Sequence, residues 1–291
     1  MGVSTDEVIS NIALMKMGQK VITDLDDTTD TTSVKVKTIF APKRRALLRK
    51  IKTQFAALDI ILGHVVDSSV VITGASQASP VVITAVAHGF SDDDTVSIVD
   101  VVGMTDLNGK KYTVANKTAD TFELESVDGS DYTAYASAGT VGKVTTFISE
   151  TGYLNAYSLP SDYLIINSLN GEPESDVDYR IKSLSGAKVL FTDDAQAAME
   201  YTYNITDPEL FDDSFVDLFA AFIAAELAYT ITNSKSMAVA LKEEAAQMLQ
   251  EVRSLNSQER GNPRQVRHEG IIEARDNEGV RGSSSIADLT D

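Results

Sequence analysis

The stretch from Asn204 to Arg253 constrains this chain more than any other, because it reads as two consecutive helices of different character. In ITDPELFDDSF, Asp207 precedes Pro208. An N-cap carboxylate is followed there by the one residue whose missing N–H costs nothing at the first helical position, which predicts a helix start. Phe211, Phe215, Leu218, Phe219, Phe222, Ile223, Leu227 and Ile231 then recur at three- and four-residue steps, while Ala220, Ala221, Ala224, Ala225 and Ala228 keep the other faces small. A helix of this kind is packed on more than one side. After the polar break TNSKS, the second helix carries Met237, Leu241, Ala245, Leu249 and Val252 on one stripe. Lys242, Glu243, Gln247, Gln250 and Glu251 lie largely elsewhere, so this helix has a wet face.

The chain can supply partners for such helices. Its 291 residues, 43% hydrophobic and 23% charged, are those of a folded protein long enough for two domains. Against 25 basic residues stand 43 acidic ones, a net charge of −18, which disfavours tight nonspecific nucleic-acid binding, since neutralising phosphates needs clustered Lys and Arg. The absence of cysteine excludes disulfides, thiolate catalysis and Cys-ligated metals. MGVSTDEVIS has no basic region leading into an apolar run, and no run of about 20 apolar residues stands out. The expectation is synthesis in the cytosol without a membrane span.

A first helix is expected from Ser4, with Glu7 completing a capping box, Val8, Ile12, Leu14 and Met15 as its buried side and Gly18 as its stop. A second is expected from about Thr32 to Leu58, kinked at Pro42. The character changes at Asp67. Up to about Phe147 the runs SVVIT, PVVITAVA, TVSIVD, KYTVAN, TFELES and GKVTTF alternate with turn signals such as Asn108-Gly109 and Asp128-Gly129, which predicts a small all-β module. NAYSLPSDYLIINSLNG and DYRIKSLSGAKVLFTDD read as further strands, with a hairpin turn at Ser185-Gly186. From Gln258 to Asp291, few apolar residues and repeated Gly predict an extended arm. The fold class is α+β: a helical core of about four main helices with a few strands at 1–66 and 147–257, an inserted barrel-like β-module at 67–146, and an arm at 258–291.

Several strings occur in an order that carries a resemblance. DEVISNIALMKMGQKVITDLDD, FAPKRRALLRKIKTQFA, NAYSLPSDYLII and the whole helical pair through EEAAQMLQEVR resemble the head-to-tail adaptors of short-tailed phages, the tail tubular protein A family, over residues 1–62 and 148–257. Where that family often has Pro-Trp-Asn-Phe after the second helix, this chain has Lys52-Thr53-Gln54-Phe55. The middle, with HGFSDDDTVSIVDVVGMTDLNGKKYTVANKTADTFEL, resembles a small β-barrel module named after the first catalytic-cysteine half-domain of ubiquitin-activating enzymes. Without cysteine, no thioester chemistry carries over.

The adaptor resemblance implies a ring, commonly twelve-fold, under the capsid portal at the virion neck. It implies as partners the portal protein, a tail tube or nozzle protein and further copies of the chain, with capsid or fibre proteins meeting the module. DNA would pass through without specific binding. In that family the C-terminal end docks on the portal, which here selects Arg264, Arg267, Ile271, Ile272 and Arg275. The basic run Lys43, Arg44, Arg45, Arg49, Lys50 and Lys52 either pairs with acidic neighbours across subunits or meets DNA, with pairing or ordinary solvation the expected fate of a charged helix face. Glu226, inside the apolar run AAFIAAELAY, is expected to be buried and paired with Arg44, Arg45 or Arg49.

Other constellations are weaker. The acidic loop Asp24, Asp26, Asp27, Asp30 fails as a calcium loop, with Thr29 where the glycine belongs and Lys35 where the bidentate glutamate belongs, and reads as a capped solvated loop. Asp92, Asp93 and Asp94 read as a turn. His64, His88 and His268 lie far apart, with no Gly-x-Ser-x-Gly, His-Glu-x-x-His or P-loop beside them. No catalytic residue, metal or cofactor is expected. The rival reading is a receptor- or glycan-binding protein acting through the β-module, for which Tyr132 and Tyr135 would have to be exposed; packing inside the module is their expected place. A tail-associated hydrolase is the third.

Overall fold

The structure, a computed structural model, describes residues 5–145, 152–184 and 186–259. Helix α1 (Asp6–Lys16) is capped by Thr5, whose Oγ1 accepts from the Val8 amide at 3.2 Å; the expected cap, Ser4, lies outside the described residues. Gly18 follows it with φ +66°, a conformation open to glycine at no steric cost. Helix α2 (Thr31–Ile51) starts at Asp30, whose carboxylate accepts from the Thr32 and Ser33 amides. It runs through Pro42 and stops at Lys52 in the left-handed region, well short of the expected Leu58. A 3-10 turn at Gln54–Ala56 and strand β1 (Ala57–Ile61) take the place of its last turns. Phe55 does join the helical core, with its ring 5.2 Å from that of Phe215, so the apolar spacing was meaningful although the backbone had already turned.

The chain next forms β2 (Val66–Val71), β3 (Gly74–Ala75), β4 (Val82–Thr84), β5 (Thr95–Val99), β6 (Lys111–Ala115), β7 (Thr121–Leu124) and β8 (Thr140–Val144). Every run of the module expected to be a strand overlaps one. They make a seven-stranded sheet in the order β2-β8-β5-β6-β7-β4-β3. Val96, Ile98 and Val141 from one end of it share an apolar cluster with Ile83, Phe122 and Leu124 from the other, so the sheet curls around its core. It is not the closed barrel that the resemblance suggested. Gly139, at φ +98°, lets β8 begin against Val101, where a Cβ would come within 2.5 Å of a methyl group. Tyr132 and Tyr135 are partly buried against the cluster, and the Tyr135 hydroxyl lies 2.9 Å from the Ile72 carbonyl, as the packing reading of that pair expects.

Beyond the module come β9 (Asn155–Ser158), β10 (Tyr163–Leu169), β11 (Glu172–Pro173), β12 (Arg180–Leu184), β13 (Ala187–Thr192) and β14 (Ala198–Tyr203). They form two antiparallel sheets, β1-β14-β10-β11 and β12-β13-β9. Leu184 pairs with Ala187 across a tight turn in which Gly186 has φ +86°, while Ser185 lies outside the described residues. Tyr157, Ile166, Leu190, Met199 and Tyr201 form a cluster between the sheets.

Asp207 and Pro208 start a 3-10 turn (Pro208–Leu210), with the Asp207 carboxylate accepting from the Glu209 amide, and not the long helix expected of them. That helix, α3 (Asp213–Thr232), begins after Asp212. Asp212, at that start, has extended backbone and makes no side-chain capping hydrogen bond to the helix. After Asn233 in the left-handed conformation, α4 (Lys235–Glu259) runs past Arg253 into the first residues assigned to the arm. Phe215, Leu218, Phe219, Ala220, Ala221, Ile223, Ala224 and Ala228 of α3 are all buried against α1, α2 and α4. By length and composition α3 would also qualify as a membrane-crossing helix, which the sequence reading passed over; 61% of its most apolar window is buried inside the fold.

Phe219 stacks edge-on against Phe40 with ring centroids 4.8 Å apart and is fully buried. Phe219→Ala is expected to remove about 3–5 kcal/mol of stability, from lost transfer energy plus the cavity, measurable by urea denaturation. The exposed Val239→Ala, on α4, should change it by less than about 1 kcal/mol.

Candidate functional site

The basic run on α2 is divided by helical geometry into separate environments. Arg44 turns inward and is buried, facing Asp6 of α1. Burial lowers the Arg44 pKa against the pull of Asp6, and it raises that of Asp6, with the Arg44 charge opposing. The two do not close an ion pair, and Arg44 Nε and Asp6 Oδ1 are buried without hydrogen-bond partners. Lys43 projects to α3, where its Nζ meets Glu226 Oε2 at 2.7 Å. Lys50 lies over the Phe222 ring at 5.6 Å, and Lys52 binds Glu174 and, at 3.3 Å, the Ile166 carbonyl. Arg45 and Arg49 are left on the exposed face.

Two expectations change. Glu226 is on the surface, with its side chain about half exposed, and its partner is Lys43, not one of the three arginines. The apolar run around it spans more than a full helical turn, and position 226 falls on an exposed side of α3. The five candidate portal-docking residues, Arg264, Arg267, Ile271, Ile272 and Arg275, lie outside the described residues, as does His268.

The acidic loop behaves as read. Asp24 accepts from the Asp26 amide and Asp27 from the Thr29 amide and hydroxyl, while Asp30 caps α2. These bonds hold the Asp27 and Asp30 carboxyls below the usual carboxylate range. Asp92 and Asp94 likewise accept from the Lys117 and Ser91 amides in a turn. Among the described residues no group of three or more His, Asp or Glu side chains could hold a metal ion.

A junction that sequence reasoning missed lies where β1 passes into β2. His64 pairs with Tyr157 in an isolated bridge, its ring centroid 4.3 Å from that of Tyr157, and its Nδ1 is 3.1 Å from Ser97 Oγ on β5. Gly63 is required there, since a Cβ would stand 2.6 Å from Val99 Cγ1 of the same strand. Gln196 Nε2 donates to the Asn108 carbonyl at 2.9 Å, a second tie between the module and the sheets. Beside these contacts a cleft of about 370 Å³ is lined by Ile60, His64, Ser69, Ser97, Asp100 and Ser158. Among the described residues the second ring nitrogen, Nε2, is buried without a hydrogen-bond partner. The pair ties the β1–β2 connection to β5. The helix predicted through Leu58 concealed it, although the Gly63-His64 pair between two apolar runs was a visible sign of a close crossing.

Residues 78–145 match the family model described as the Ubiquitin-activating enzyme E1 FCCH domain. The match covers the module from just before β4 through β8, and leaves out β2 and β3. No curated protein matches the chain significantly.

Burial, with a smaller contribution from the Lys111 charge and against the Asn155 side chain, pushes the His64 pKa down from 6.5 to about 4. Between those values the unfolded chain binds the proton and the folded one does not, so the neutral ring's contribution is complete above pH 6.5 and is lost as pH falls toward 4. Denaturation curves should show a loss on the order of 3 kcal/mol across that window, reduced in His64→Gln. Glu226→Ala, by contrast, should cost less than about 1 kcal/mol in the same assay, as half-exposed ion pairs do.

Proposed function

We propose that this chain is a structural head-to-tail adaptor of a tailed phage: a subunit of a ring under the portal that extends the DNA channel and offers the tail its attachment surface. One observation carries the reading. The chain leaves the sheets after β1 and returns to them before β9, and its outgoing and returning strands pair with one another, Val66 opposite Val144. The segments that resemble the adaptor family therefore lie on either side of a module whose two ends are adjacent, and the core is continuous without it. Their helices gather into one apolar cluster around α3.

On this reading the helices form the ring wall, the module projects toward capsid, tail or fibre proteins, and the residues after Glu259 reach the portal. Arg45 and Arg49, exposed on α2, are the groups available to a neighbouring subunit or to passing DNA. The surrounding negative charge keeps DNA from adhering to such a ring. The reading assigns no catalysis, metal or cofactor, and places the protein in the virion neck. The partly buried positions of Tyr132 and Tyr135 weigh against the receptor-binding alternative.

Purified protein mixed with portal rings of the phage that carries it should form a stoichiometric complex by native mass measurement, and failure to do so would count against the adaptor. Truncation after Gln258 should leave a folded protein whose portal binding is lost; undiminished binding would remove the docking role from Arg264, Arg267, Ile271, Ile272 and Arg275.

A further inference from the structure

Two sheet edges of this chain are open and of opposite character. β1 ends one sheet and β12 ends another, so each presents a row of backbone groups that no described strand pairs. Such edges are usually blunted by charge, shortness or cover. β1 instead carries Leu58, Ile60 and Ile61 at 44%, 36% and 42% exposure around a central Asp59. β12 has the same five-residue length, with the partly buried Ile181 between exposed Arg180 and Lys182. Neither Asp59 nor Lys182 forms an ion pair among the described residues. Asp59 also stands directly opposite Glu200 across the β1–β14 pair, a like-charge arrangement that a neighbouring cation would relieve.

We propose that β12 of one copy of this chain adds antiparallel to β1 of the next, joining a four-stranded sheet to a three-stranded one across the subunit boundary. Pairing the strands centre to centre sets Asp59 opposite Lys182, Ile60 opposite Ile181, and Ile61 opposite Arg180. The faces agree with this register. Ile60 lies opposite Met199 and Ile181 opposite Leu190 within each copy, and both of those partners belong to the cluster between the sheets. The apolar side of the joint sheet is thus continuous, and Asp59 meets Lys182 on the other side.

The alternative two-fold pairings are unfavourable for a stated reason. β1 against β1 about its centre brings Asp59 onto Asp59, and β12 against β12 brings Lys182 onto Lys182. Each edge repels its own kind and attracts the other, so the contact is head-to-tail, the type that closes into rings or runs on as filaments. Closure into a ring rests on the adaptor reading, whereas the edge pairing does not.

The chain's lack of cysteine makes the test direct. Asp59→Cys and Lys182→Cys proteins, mixed and oxidised, should form a disulfide with each other, because cross-strand Cα atoms lie roughly 4.5–5.5 Å apart, within disulfide range. Neither variant should couple to itself, and the double variant should give a ladder of covalent multimers. Self-coupling of Asp59→Cys, or no coupling at concentrations where the unaltered chain sediments as an oligomer or at any concentration tested, would overturn the proposal. Asp59→Lys and Lys182→Glu, each verified as folded by circular dichroism, should weaken self-association on the order of tenfold or more, and their combination should restore it. A folded double variant without rescue would overturn the register. Portal binding separates the two readings: a portal complex without cross-links sinks the edge pairing alone, and cross-links without a portal complex sink the adaptor alone.

Discussion

Everything in the helical part depends on burying α3. Its aromatic and aliphatic residues point to several sides, and its alanines let neighbouring backbones approach, so it is stable only when surrounded. That requirement recruits α1 and α2 from the start of the chain and α4 from its end, elements separated in sequence by the module and by both core sheets. The aromatic contacts fix how they meet: Phe40 of α2 and Phe55 just beyond it pack on Phe219 and Phe215. Once these rings are placed, the chain after Ile51 must turn, and β1 is the result.

The legible parts were those where one periodicity dominates. The apolar spacing of α3 and α4 and the short Val- and Thr-rich runs of the module each had a single consistent reading, whereas in α1 the expected buried residues Val8 and Met15 are exposed and Ile9 and Ala13 are buried beside Leu14 instead. Legibility failed where two signals overlapped. Phe55 and Leu58 extend the helical spacing of α2, yet Ala57–Ile61 is a strand because β14 offers it a partner, and that partner is distant in sequence. β14 itself was missed: AMEYTY mixes Met, Glu and Thr, and Thr202 is buried by hydrogen bonding to Asn167 rather than by apolar character. The turn of Pro208 was read as a helix start because an Asp-Pro pair looks the same in both.

The candidate sites divide in the same way. Composition alone could not show that, within the chain, Lys43 reaches Glu226 while Arg44 faces inward. Which residue of a charged run points where follows from about 100° of rotation per residue and from what already covers the helix. The junction at His64 and Ser97, 33 residues apart, had no local signal beyond one glycine. Long-range contacts of that kind are created by topology.

The pairing of β2 with β8 at the base of the module has a mechanical consequence. Tension between the module and the core enters at Val66 and Val144, neighbours at one end of a two-strand ladder, and therefore opens that ladder one rung at a time. Peeling of this sort resists far less than shearing, in which all the rungs would share the load. The His64–Ser97 and Gln196–Asn108 contacts brace the base from the side, but both are single hydrogen bonds. Under load that ladder yields first, ahead of the packed helical cluster around α3.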